Sequence, residues 1–251
     1  MRIVACYSAK GGVGKTASAV NLAWWCAARG RSTVLVDLDP QGASSFYFRG
    51  DPARAKAGKK LLQGRSPLTE HLQGTDYPNL DLLPAHKGFR GADALLAQAD
   101  KPRRALADLL GALESQYDLV LLDCPPTLGL LAESIFAAAD RILVPVMPST
   151  LAERSYAQML ALYADQGGKP KRLRPFFTMV QIRKTLHRET MERMRAQYPR
   201  FARHFVPHAR DVEYMGVHQA PLLAYAPRSV AAQAYHAIFI EHCGELIRSV
   251  A

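Results

Sequence analysis

Two hydrophobic patterns alternate along the chain. Short apolar runs near residues 2–8, 33–38, 79–84, 118–123, 141–147, 175–181 and 203–206 suit strands in length. Stretches near 15–29, 105–115, 128–139, 151–166, 186–197 and 228–249 place apolar residues at helical spacing. Several strand runs are apolar at consecutive positions, as in sheets covered on both faces. The alternation therefore predicts an α/β fold in which a mostly parallel, twisted sheet carries helices on both faces, all within one domain over 1–251. Segment 43–78, polar and rich in glycine and basic residues, fits neither pattern. Gly167-Gly168-Lys169-Pro170 reads as a loop, not a domain boundary. In the last helix Ile238, Phe239, Ile240, Leu246 and Ile247 are expected in the core.

The first strand–helix junction reads Lys10-Gly11-Gly12-Val13-Gly14-Lys15-Thr16, followed by Ala17. A strand, a glycine-rich loop and a helix opening on Lys-Thr form a phosphate-binding loop. Glycines let successive backbone N–H groups converge on phosphate oxygens, and the helix start adds partial positive charge. Lys15 is placed to neutralise the β and γ phosphates, and the Thr16 hydroxyl to ligate Mg²⁺. Ala9 stands where the standard motif has glycine, and a second lysine, Lys10, opens the loop.

Two more strand runs end in acids. Ser32–Leu38 leads into Asp37-Leu38-Asp39-Pro40-Gln41-Gly42, and Tyr117–Asp123 leads into Cys124-Pro125-Pro126. A parallel strand delivers such residues to the carboxyl edge of a sheet, where ligands bind. Alternation puts Asp37 and Asp39 on one side of their strand. Asp123 fits a second acidic motif that supports the metal.

These strings resemble the ParA/MinD family of deviant P-loop ATPases, ParA-like branch. The resemblance rests on Lys10–Thr16, Asp37–Gly42 and Asp123–Gly129, with weaker echoes at Leu82–Ala85, Phe177–Met179 and Ala220–Tyr235. It implies a P-loop fold, ATP and Mg²⁺ as cofactors, and slow hydrolysis stimulated by a ParB-like or other adaptor. It also implies an ATP-dependent homodimer in which Lys10 of one subunit reaches phosphates held by the other. The implied roles are catalytic for Lys10, Lys15 and Asp39. Gly11, Gly12, Val13, Gly14, Lys15, Thr16, Ala17 and Asp37 would hold nucleotide, and Thr16, Asp39 and Asp123 the metal. Met179 and Pro207 are candidates for contacting the base, with core packing and a turn as their respective alternatives.

Charge adds a second theme. The 251 residues carry a net +10. Between Lys169 and Arg210 stand twelve Lys/Arg against Glu189 and Glu192, which is also +10. A smaller basic group comprises Arg49, Arg54, Lys56, Lys59, Lys60 and Arg65. Localised positive charge suits binding to nucleic acid without sequence preference. With the resemblance it implies double-stranded DNA as partner, with Lys171, Arg172, Arg174, Arg183, Lys184, Arg188, Arg195, Arg200, Arg203 and Arg210 as candidate contacts. Arg188 and Arg195, seven apart, are expected on one helix face.

Four scattered cysteines show no metal or disulfide spacing, so a reducing cytoplasm is expected, and the resemblance implies association with the nucleoid. Met1-Arg2 leads straight into the first strand, so no signal peptide is expected, and no apolar run approaches ~20 residues. Three segments depart from the ParA pattern. Asp211 replaces a late arginine for which Arg210 is the neighbouring substitute, Ala17 replaces a second threonine, and Leu151-Ala152-Glu153-Arg154 replaces Ala-Leu-Glu-Gly. The expected function is partitioning or positioning of a plasmid, chromosome or protein assembly. The alternatives are a MinD-like membrane-cycling regulator and a small-molecule ATP-dependent enzyme. Arg248-Ser249-Val250-Ala251 lacks the basic amphipathic tail of the former, so no membrane partner is expected.

Overall fold

A computed structural model describes residues 1–51, 61 and 66–246. Its strands are β1 (Arg2–Cys6), β2 (Thr33–Asp37), β3 (Gln73–Gly74), β4 (Leu80–Leu83), β5 (Leu119–Asp123), β6 (Arg141–Val146), β7 (Leu173–Val180) and β8 (Phe205–Pro207). They form one sheet in the order β3-β4-β2-β5-β1-β6-β7-β8, parallel except for the β3–β4 pair. All seven expected strands are present. The eighth, β3, has two residues on the sheet edge, too short for a periodic signal.

Burial on both faces explains the uninterrupted apolar runs. Along β1 and the residue after it, Ile3, Ala5 and Tyr7 enter one core, while Val4 and Cys6 enter the other. Helix α1 (Lys15–Ala27) packs on the second face, together with the late helix Val230–Cys243. Helices Leu130–Ala138, Thr150–Asp165 and Thr185–Gln197 contribute to the first core. In segment 43–78, a short helix α2 (Ala43–Tyr47) follows β2, and a 3₁₀ turn spans Leu68–His71. Arg54, Lys56, Lys59, Lys60, Arg65, Ile247 and the final Arg248–Ala251 lie outside the described residues. Ile240, expected in the core, is 54% exposed because it points away from the sheet that buries Ile238 and Phe239.

Candidate nucleotide site

The loop after β1 and the start of α1 line one cavity at the carboxyl edge of the sheet. Gly12 and Gly14 have φ of 69° and 83°, which L side chains adopt only with strain. No side chain caps α1, so its first N–H groups remain available to an anion. Gly11, Gly12, Gly14, Lys15, Thr16, Ala17, Asp39, Met179 and Pro207 line this cavity of about 320 Å³. That size lies within the ~300–1,000 Å³ range of small-molecule sites. Lys15 is 7% exposed, and its ammonium donates to the Lys10 carbonyl at 3.0 Å. Burial lowers its pKa, opposed by Asp123 and Cys124.

Lys10 and Val13 face elsewhere. Both line a narrow gap beside the helix Thr150–Asp165, and the Lys10 ammonium donates to Ser149 Oγ at 3.3 Å. The Val13 side chain is buried there, which leaves its backbone N–H as the group it can offer a phosphate.

Asp37 also departs from expectation. Strand β2 ends at Asp37, so alternation does not carry on to Asp39. Asp39 lines the cavity, whereas Asp37 is fully buried behind it. One Asp37 oxygen accepts from the Ser45 N–H and hydroxyl at 2.8 and 2.7 Å, and the other from the Asp39 N–H at 3.2 Å. With both oxygens engaged by protein, Asp37 buttresses the loop and does not touch the cavity.

Asp123, opposite Asp37 in the β2–β5 register, is also fully buried. Its Oδ2 accepts from Ser44 Oγ at 2.9 Å, while Oδ1 has no hydrogen-bond partner. Burial and the Asp37 charge push its pKa up to about 7, against the pull of the Ser44 and Thr16 hydroxyls. A buried carboxylate oxygen without a partner, next to a threonine hydroxyl, fits a divalent cation. Thr16 and Asp123 would hold Mg²⁺ there. Among the described residues no group of three His, Cys, Asp or Glu could hold a metal, so phosphate and water would supply the remaining ligands.

Other lining residues escaped the sequence reading. Tyr47 comes from α2, in the unassigned segment, and Thr178 directly precedes Met179. His208 and Glu213 line the far end, and the Tyr235 ring is only 1% exposed. Thr178 falls inside the Phe177–Met179 echo and Tyr235 ends the C-terminal echo, and those echoes were the available signals.

A family model described as an AAA domain matches residues 1–165. The chain is 30% identical to the chromosome partitioning protein ParA of Caulobacter vibrioides, over 94% of this chain and 91% of that one. It belongs to the ParA family. It is also 28% identical to the sporulation initiation inhibitor protein Soj of Bacillus subtilis, over 93% and 95% of the two chains. Among solved structures, cobyrinic acid a,c-diamide synthase of Mycobacterium smegmatis, with bound ATP analogue and magnesium, matches at a TM-score of 0.79. It shares 28% identity across 100% of both chains. The ATP complex of a substituted McdA from Cyanothece has a TM-score of 0.85 at 18% identity, covering 100% and 98%, and shares the fold.

In this ParA-family chain the ten candidate DNA contacts do not form one face. Lys171, Arg172 and Arg174 lie beside Arg2 and Arg141, at the edge where the strands begin. Arg183 and Lys184 follow the other end of β7, and Arg188 is one helical turn on; all three are exposed. At about 3.3 Å per residue, β7 separates the two groups by roughly 20 Å. Arg195 is not free. Its guanidinium sits 5.5 Å from the Phe177 ring centroid and donates to the carbonyls of Ala202 and Arg203, so although it shares the helix Thr185–Gln197 with Arg188, its charge is engaged by protein. Arg200 and Arg203 are exposed in the connection to β8. Arg210 lies over the Tyr214 ring at 4.6 Å and opens the short helix Arg210–Glu213, at the cavity rim.

Proposed function

We propose that this protein is a Mg²⁺-dependent ATPase that dimerises on ATP and binds DNA without sequence preference. In this reading it partitions or positions a plasmid, chromosome or protein assembly on the nucleoid, with slow hydrolysis stimulated by a ParB-like or other adaptor. The observation that carries the reading is the direction of Lys10. Its charge belongs to the phosphate loop, yet its ammonium points away from the loop's own cavity, onto Ser149. The exposed Gly11 and Gly12 leave room for a facing subunit. Lys10 then acts across the dimer as an arginine finger does.

Within one subunit, the loop amides and Lys15 hold the phosphates. Asp39, half-buried at the cavity wall with its Oδ1 bound to the Gln41 N–H at 3.0 Å, orients the attacking water. Bound Mg²⁺ supplies charge neutralisation on the phosphates. The relatives named for chromosome partitioning support the cellular role. DNA contacts are assigned to Arg183, Lys184, Arg188 and Arg210, because they flank the nucleotide edge and ATP-driven dimerisation would pair them.

The test is light scattering and a duplex-DNA gel shift with ATP, with ADP and with Asp39→Ala. An ATP-dependent dimer that shifts DNA, and that Asp39→Ala traps, is expected. A monomer with ATP that leaves DNA unshifted at about 0.1 M salt refutes the proposal. The likeness to the diamide synthase favours a second reading, activation of a small acid by ATP. Formation of a phosphorylated small acid in an extract screen would establish that reading instead.

A further inference from the structure

Two adjacent serines in α2 clasp the two buried acids. Ser44 Oγ donates to Asp123 Oδ2 at 2.9 Å, and Ser45 donates to Asp37 Oδ2 through both its N–H and its hydroxyl. Neither serine nor either acid is more than 1% exposed. The outcomes differ at the second oxygen. Asp37 Oδ1 accepts from the Asp39 N–H, so this acid is satisfied by protein alone. Asp123 Oδ1 has no partner. Helix α2 begins at Ala43, immediately after the loop that carries Asp39.

We propose that Ser44 is a positioning residue for the metal site. A carboxylate can rotate about its terminal torsion, and two free oxygens would leave its orientation undefined. By engaging Oδ2, Ser44 fixes that rotation and presents Oδ1 as the single free ligand atom. The same bond ties α2, and through it the loop that carries Asp39, to Asp123. Hydrogen-bonded partners of metal ligands act in this way, and losing one typically costs about 10- to 100-fold in metal affinity. The proposal rests on the reading that Thr16 and Asp123 hold Mg²⁺ beside a nucleotide.

The experiment measures binding rather than turnover. Affinity for a fluorescent ADP analogue is titrated in EDTA and in Mg²⁺, and the ratio is the Mg²⁺ gain. Mn²⁺ bound with ADP is counted by electron paramagnetic resonance. Ser44→Ala should bind nucleotide in EDTA like wild type but lose about 10-fold of the Mg²⁺ gain, and Ser44→Thr should restore it. Ser45→Ala, which removes the equivalent hydroxyl from Asp37, should keep the gain. If Ser44→Ala does not fold, the comparison passes to Ser44→Cys, whose weak S–H donor should lose the gain that Ser44→Thr keeps. A full gain in Ser44→Ala, or in Ser44→Cys where that variant replaces it, overturns the proposal. Equal losses in Ser44→Ala and Ser45→Ala do the same. A wild-type protein with no Mg²⁺ gain overturns the metal reading itself, and the proposal with it.

Discussion

Asp123→Asn should stabilise the nucleotide-free protein while removing its response to Mg²⁺. The wild-type carboxyl is fully buried, faces Asp37 across the β2–β5 register and leaves Oδ1 without a partner. Burial and the Asp37 charge raise its pKa from 3.8 to about 7, and burial raises that of Asp37 to about 6. A raised carboxyl pKa means that the folded state holds the proton longer than the unfolded chain. Below pH 4 both states are protonated and nothing is lost. Between pH 4 and 7 the unfolded chain ionises first, so stability falls as pH rises. Above pH 7 the full cost applies, on the order of 4 kcal/mol at most for this one group. Asparagine keeps the shape and an acceptor for Ser44 without the charge. The variant should therefore exceed wild type by roughly 2–4 kcal/mol at pH 8 and by less than half of that at pH 5. Urea unfolding in EDTA without nucleotide, followed by the fluorescence of Trp24 and Trp25, measures both. A variant less stable than wild type at pH 8, or a gain independent of pH, would refute the reasoning.

Other outcomes follow from the same geometry. Lys15→Ala removes a buried ammonium from the cavity and should weaken ATP-analogue binding by roughly 10- to 100-fold. Lys10→Ala should leave binding to the monomer nearly unchanged but abolish the ATP-dependent dimer in light scattering; equal losses of binding would sink the cross-dimer role. Charge reversal at Arg183, Lys184 and Arg188 should remove the ATP-dependent DNA shift, which reversal at Lys171, Arg172 and Arg174 should spare. With about four phosphate contacts, log affinity should fall against log salt with a slope of about −3.6. Gly129→Ala would drive a methyl group into the Asp93 carboxylate, which accepts from the Leu131 N–H at 2.7 Å. It should cost about 1–2 kcal/mol of stability in thermal unfolding, and less in an Asp93→Ala background.

The phosphate loop was legible because its chemistry is local: consecutive glycines, a lysine and a threonine at the head of a helix act within one turn of chain. The strands were legible because most are apolar enough to be covered on both faces, a property of a short run of residues read in order. The roles of Asp37 and Asp39 were not. Two residues apart, they should share a face, but β2 stops at Asp37 and the serines that engage it and Asp123 arrive from α2, in a segment with no readable pattern. The basic segment misled for a similar reason. Its net charge is a property of the sequence, whereas β7 carries its two ends to opposite edges of the sheet and the Phe177 ring claims Arg195. By itself the sequence determined which groups bind phosphate and where the sheet runs, since both depend on near neighbours. Which carboxylate oxygen stays free for a cation, and which cations share a surface, only the tertiary structure decided, because those properties depend on partners tens of residues away.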